Sequence, residues 1–133
     1  MALDVVIMAG GPLPDSLRKF ADKDYKGLLK FGDRTMVEMA VDMVRGIEGV
    51  GKIVCVGPVE EMKPVVGGKV DRLVQSGEKM IGTLRRGIDA LEGSGEVLIC
   101  TCDIPLATAK MVEDFINACR ETEADVYYSM VER

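Results

Sequence analysis

Histidine is absent from this chain of 133 residues, and so is tryptophan. Without histidine there is no Ser-His-Asp triad, no imidazole ligand for a metal and no side chain that ordinarily titrates near neutrality. Aromatic residues make up only 5% of the sequence. The interior must therefore be filled by aliphatic side chains and by nine methionines, whose flexible thioethers suit irregular gaps. An excess of basic charge is lacking too: 22 acidic against 17 basic side chains leave a net charge of −5. That balance removes the long-range attraction on which most nucleic-acid binders rely, yet still allows a small anion in a locally basic pocket. No apolar run is long enough for a membrane span or a secretory leader. The first, Val5 to Ala9, follows Asp4 rather than basic residues.

What is present suits one domain over residues 1–133. Apolar residues at 47% provide a core, and charged residues at 29% an ordinary solvated surface. Cysteines 55, 100, 102 and 119 fall in apolar runs and read as reduced core thiols of a cytoplasmic protein. Cys100 and Cys102, two apart on a strand, point to one face, but no partner ligands accompany them for a metal.

Strand-like and helix-like patterns alternate along the chain. Asp4–Met8 is nearly continuous in apolar β-formers, as a strand covered on both faces requires. It runs into Ala9-Gly10-Gly11-Pro12, followed by a polar loop to about Tyr25. Thr35-Met36-Val37-Glu38 fits a capping box. The helix it opens carries Met36, Met39, Ala40, Met43, Val44 and Ile47 at helical spacing and ends at Gly46 and Gly49. A strand over Lys52–Val56 stops at Gly57-Pro58. The segment from Val59 to Lys69 has no clear pattern, and a short strand over Val70–Val74 follows it. A helix over Lys79–Leu91 is expected to use Met80, Ile81, Leu84, Ile88 and Leu91 as its apolar side. Strand Val97–Cys102 delivers Asp103 at its carboxyl end. Thr108 caps a helix with a stripe of Met111, Val112, Phe115, Ile116 and Cys119, and a last strand is expected over Asp125–Val131. This order predicts a three-layer α/β/α sandwich with a mostly parallel, Rossmann-like sheet. In such sheets ligands bind beyond the carboxyl ends of the strands, where strand order reverses.

Gly46-Ile47-Glu48-Gly49-Val50-Gly51-Lys52-Ile53 spells most of a phosphate-binding P-loop. It links a helix to a strand, however, and has Ile53 where a hydroxyl is needed. Helix termination explains these glycines better. No G-x-G-x-x-G occurs, which argues against a nicotinamide or flavin site. Gly10 and Gly11 are more promising, because residues without Cβ let backbone amides close on an anion. The loop after them concentrates Arg18, Lys19, Lys23 and Lys26. An ordinary strand-to-helix turn reads the same segment equally well. Asp103, between an apolar strand and Ile104-Pro105, could hold Mg²⁺ together with substrate phosphates, or could simply open a turn.

The combination resembles the nucleotidyltransferase family of molybdenum cofactor guanylyltransferase and the cytidylyltransferases of isoprenoid and sugar metabolism. Val6-Ile7-Met8-Ala9-Gly10-Gly11 is similar to the family's opening strand and glycine loop, and Tyr25-Lys26-Gly27-Leu28-Leu29 to the segment with its signature lysine. Thr35-Met36-Val37-Glu38 resembles the start of the next helix. Ser76-Gly77-Glu78 with Thr83-Leu84 and Gly87 resembles the loop that holds base and ribose. Cys102-Asp103-Ile104-Pro105-Leu106 resembles the motif whose aspartate binds the metal. The resemblance implies the nucleotide-diphospho-sugar transferase type of fold and an NTP plus a phosphorylated or hydroxylated small-molecule acceptor, giving an activated nucleotide and pyrophosphate. It further implies nucleotide binding by Met8, Ala9, Gly10, Gly11, Lys26, Gly77 and Thr83, charge stabilisation by Lys26 and Arg18, and Mg²⁺ on Asp103. CTP or GTP is the favoured nucleotide.

The loop between Gly11 and Lys26 is longer and more polar than the family's. The family's second metal-binding aspartate and its acceptor site lie in a later segment, and this sequence stops at Arg133. The expectation is thus a nucleotide-binding half without the C-terminal acceptor segment. Two alternatives accompany it. One is a nucleotide-binding or assembly module without turnover, prone to form homo-oligomers. The other is a glycosyltransferase, disfavoured because Thr101-Cys102 precede Asp103 where an Asp-x-Asp would be needed. Neither nucleic acid nor a membrane is an expected partner.

Overall fold

A computed structural model of the chain describes residues 2–20, 23–93 and 95–130. The aliphatic runs become the centre of a parallel sheet. β1 (Leu3–Met8), β4 (Val50–Gly57), β5 (Arg72–Gln75) and β6 (Val97–Thr101) lie side by side in the order β5-β4-β1-β6, every pair parallel. A two-residue hairpin of β2 (Lys30–Phe31) and β3 (Arg34–Thr35) stands apart. Helices α1 (Met36–Arg45), α2 (Val59–Val66), α3 (Met80–Asp89) and α4 (Ala109–Cys119) complete the chain. The chain lays β4 and β5 to one side of β1, then returns to place β6 on the other. Strand order therefore reverses between β1 and β6.

Both faces of the middle strands are apolar, and the side-chain period of two explains why. Val5 and Ile7 of β1 join Ile53 and Cys55 of β4 in the larger core, under α1, α2 and α4. Val6 joins Val54 and Val56 in a smaller core on the opposite face, the side that α3 contacts. This is the three-layer sandwich expected from the sequence. Among the described residues no helix is long and apolar enough to cross a membrane.

The capping box at α1 forms as predicted. Thr35 Oγ1 accepts from the Glu38 amide at 3.2 Å, and Glu38 Oε1 accepts from the Thr35 amide at 3.0 Å. Thr108 caps α4 in the same manner, its Oγ1 3.2 Å from the Met111 amide. All four thiols are free; Cys55 and Cys102 are buried, Cys100 and Cys119 partly so. No cluster of metal ligands forms around them among the described residues.

Four local expectations change. Val59–Val66 is a helix despite Pro64 within it, because Met62 and Val66, one turn apart, are fully buried. The strand expected over Val70–Val74 is shifted to Arg72–Gln75, with Asp71 turning back so that its Oδ2 accepts from the Ile53 amide at 2.7 Å. Helix α3 forms with only part of the expected face inward: Leu91, just past its end, is buried, but Met80 and Ile81 are three-quarters exposed, while Thr83 and Gly87 are buried. The sheet comes so near that a Cβ on Gly87 would lie 2.5 Å from Val6 Cγ1. Small residues win the inner face because only they allow that approach. The last expected strand does not form over Asp125–Met130, and its remaining residue, Val131, lies outside the described residues. Val126, Tyr128 and Met130 stay exposed, and the segment lies beside the edge strand β6 without pairing to it.

Candidate functional site

The sheet's register puts Met8 of β1 opposite Thr101 of β6. The loops that leave these two strands consequently start side by side, at the reversal of strand order. After Met8 the chain stays pinned to the sheet, with the Ala9 amide donating to the Val56 carbonyl at 2.7 Å. Gly10 then passes Ser76 so closely that a Cβ would sit 2.8 Å from Ser76 Cβ, whereas a Cβ on Gly11 would meet nothing within 4 Å. Gly10 is thus fixed by packing, and Gly11 opens toward solvent.

The long polar loop that follows folds back on itself. Pro12 and Tyr25 form an isolated antiparallel bridge, and the Leu13 amide donates to the Asp24 carbonyl at 2.8 Å. Leu13 is buried with Leu29 and Met36, and Leu17 packs on them. The return leg ends with the Lys26 amide donating to the Gly11 carbonyl at 3.1 Å. Next to it, Gly27 is buried where a Cβ would be 3.0 Å from Met62 Cε and 3.2 Å from Cys102 Sγ. Lys26 is thereby held between the glycine loop and the end of β6.

Asp103 meets it there. Lys26 Nζ donates to Asp103 Oδ2 at 3.2 Å, and Thr101 Oγ1 donates to Asp103 Oδ1 at 2.5 Å. The Thr101 hydroxyl, and after it the Lys26 ammonium, hold the Asp103 carboxyl below its ordinary value. The neighbouring Cys102 thiol moves the other way, to about 11, through burial and the Asp103 charge. It remains a protonated thiol at neutral pH.

These groups border a cleft of about 310 Å³ lined by Met8, Gly10, Gly11, Lys26, Gly77, Thr83 and Asp103, with Glu78, Lys79 and Met80 at its far side. The far wall is built from hydrogen bonds to backbone. Thr83 Oγ1 accepts from the Gly77 amide at 3.1 Å and donates to the Gly77 carbonyl at 3.4 Å. Arg86 donates to the carbonyls of Gln75, at 3.1 Å, and Ser76, at 3.3 Å. A Cβ on Gly77 would come within 3.1 Å of the α3 backbone.

The structure brings together most of the residues singled out in the sequence. Met8, Gly10, Gly11, Lys26, Gly77, Thr83 and Asp103 all line one cleft. Ala9 is fully buried beneath it. Arg18 is not among the lining residues; its guanidinium donates to Asp15 at 3.1 Å and Asp24 at 3.3 Å. Sequence reasoning missed Thr101, Lys79 and Arg86. Only Thr101 had a usable signal, since its position two before Asp103 on a strand puts both side chains on one face. Among the described residues no group of three carboxylate or thiol ligands could hold a metal. Asp103, a half-exposed hard-oxygen ligand beside the glycine loop, fits Mg²⁺ of the kind completed by substrate phosphates and water.

Comparison with known proteins bears on this cleft. The sequence matches the family model of the MobA-like NTP transferase domain over residues 5–133. No curated protein matches it. Among solved structures, a hypothetical transferase from Thermus thermophilus aligns with a TM-score of 0.73 at 22% identity, covering 89% of this chain and 47% of that one. A nucleotidyl transferase from Methanothermobacter thermautotrophicus aligns at 0.71 and 20% identity, covering 87% and 57%. The 4-diphosphocytidyl-2C-methyl-D-erythritol synthase of Anaerococcus prevotii aligns at 0.70 and 19% identity, covering 98% and 59%. The fold is thus common to all three, and this chain spans about half the length of these similar structures.

Proposed function

The chain belongs to the MobA-like NTP transferase domain family, and on that premise we propose that it is the nucleotide-binding part of an Mg²⁺-dependent nucleotidyltransferase. The reaction is transfer of a nucleoside monophosphate from an NTP, with CTP or GTP favoured, to a phosphorylated or hydroxylated small-molecule acceptor. The bond between the α- and β-phosphoryl groups breaks, the acceptor oxygen bonds to the α-phosphorus, and pyrophosphate leaves; a hydroxyl acceptor also gives up its proton, to water or to the departing pyrophosphate. One observation carries this reading: the glycine loop, Lys26 and Asp103, 77 residues apart in sequence at the extremes of the last pair, converge at the reversal of strand order.

Each residue has a physical task. The open Gly11 and its neighbour Gly10 present backbone amides to phosphate oxygens. Lys26 balances the charge that grows on the α-phosphoryl group and the departing pyrophosphate. Asp103 holds Mg²⁺, which when bound neutralises phosphate charge. The Gly77 loop, braced by Thr83, takes the nucleoside. An anionic acceptor oxygen needs no general base, which suits a chain without histidine. Lys26 lines the cleft and Arg18 does not, so Lys26 is the principal cation.

The test is calorimetric titration with CTP, GTP, ATP and UTP, each with and without Mg²⁺. Saturable binding of one or two, strengthened by the metal, is expected; metal-independent or absent binding by all four contradicts the reading. A second reading is a nucleotide-binding module that assembles with another chain without turnover. The exposed outer face of β6, with Ile99 open beside Val126 and Tyr128, favours it. Pyrophosphate release with candidate acceptors separates the two.

A further inference from the structure

Both oxygens of Asp103 are engaged by side chains. Thr101 Oγ1 lies 2.5 Å from Oδ1 and Lys26 Nζ 3.2 Å from Oδ2. A divalent cation approaching this carboxylate alone meets an ammonium already in contact with it, and like charges at such distances repel strongly. It also finds too few further ligands, since no cluster of three forms here among the described residues. A triphosphate changes both conditions: its oxygens complete the coordination shell, and its charge competes with Asp103 for the ammonium.

We propose that Lys26 acts as a latch on the metal site, occupying Asp103 until a triphosphate draws its ammonium away, so that cation and triphosphate enter together. The inference rests on the transferase reading and adds an order of events to it. The parts suit the motion. The Lys26 backbone is fixed, its amide bonded to the Gly11 carbonyl at 3.1 Å, while its side chain is 31% exposed and ends in a flexible four-carbon stem. Only the head group has to swing, from the carboxylate across to the glycine loop that lines the same cleft. Thr101 does not swing. It is a positioning residue that fixes Oδ1, so that Oδ2 is the atom handed from ammonium to metal.

The experiment is titration of the whole chain with Mn²⁺, followed by water-proton relaxation, without nucleotide and then with CTP or GTP. Wild type is compared with Lys26→Met, Lys26→Gln, Thr101→Val and Asp103→Asn, with circular dichroism confirming that each is folded. Without nucleotide, both Lys26 variants should bind Mn²⁺ about tenfold more tightly than wild type. Adding Asp103→Asn should abolish that gain. Thr101→Val should weaken Mn²⁺ uptake in the presence of nucleotide severalfold and leave metal-free nucleotide affinity unchanged, a split that a merely structural role would not produce. If nucleotide-free Mn²⁺ affinity is the same in wild type and both Lys26 variants, while nucleotide-stimulated uptake is intact, the latch is wrong and the transferase reading stands. If wild type shows no nucleotide-stimulated uptake at all, the transferase reading falls and the proposed joint entry falls with it.

Discussion

The two walls of the cleft are held in different ways. The wall made by Lys26, Thr101 and Asp103 depends on charge at a half-exposed site, where water and salt weaken an ion pair and leave it easy to exchange. The wall made by Gly77 and Thr83 depends on neutral hydrogen bonds between a hydroxyl and backbone at partly buried positions, where an unmade bond is costly. One wall can change partners when a ligand arrives; the other is a fixed template. A nucleotide has the same division, with a charged tail that must be neutralised and a nucleoside that must be placed.

Substitutions can sharpen or break that contrast, and the largest effect belongs to the charged wall. Asp103→Ala should abolish the Mg²⁺ enhancement of nucleotide binding in calorimetry, and unchanged enhancement would remove Asp103 from the site. Lys26→Ala should weaken triphosphate binding by about 10- to 100-fold, a loss of charge-assisted contacts, yet leave nucleoside binding nearly intact. Equal losses for both ligands would contradict a phosphate role. Thr83→Val tests the fixed wall. It should cost about 1–2 kcal/mol of stability in urea denaturation, because the Gly77 amide loses its partner in a tight place, and should weaken nucleoside and triphosphate alike. A loss confined to the triphosphate would mean that the walls are not divided as described.

The smallest effect concerns pH. Asp103 has a lowered folded-state pKa, so its contribution to stability is present above the ordinary carboxylate value of 3.8 and is lost as pH falls through the lower folded value. Asp103→Asn should flatten the stability curve below about pH 4 and change little at neutrality, because the group is 41% exposed. A curve that steepens instead would reverse the sign assigned to this pair.

Much of the fold was legible because its strongest signals are local. β1 and β4 alternate between two apolar faces, and Thr35 with Glu38 closes a box within four residues. The site loops were legible because glycine and aspartate at strand ends are read against a known sheet polarity. What escaped depends on distant partners. Helix α2 was hidden by Pro64, whose lost hydrogen bond is outweighed by burying Met62 and Val66. The face of α3 was misjudged because its spacing of Met80, Ile81 and Ile88 says nothing of how near the sheet comes at Gly87. Asp125–Met130 has strand composition and lies beside the edge strand β6, yet does not pair with it. Arg18 belonged to a basic cluster in sequence, yet Asp15 and Asp24 claim it, and only the folded loop reveals which lysine faces the cleft.

The bridge between Pro12 and Tyr25 has a practical consequence. It closes the chain before and after the polar loop, so Lys26 is anchored independently of the length of the stretch between. Lengthening an already closed loop costs little entropy. A reporter peptide or fluorophore could be spliced into that stretch without displacing Lys26. By the same logic, related sequences are free to lengthen or trim this stretch without retuning their chemistry.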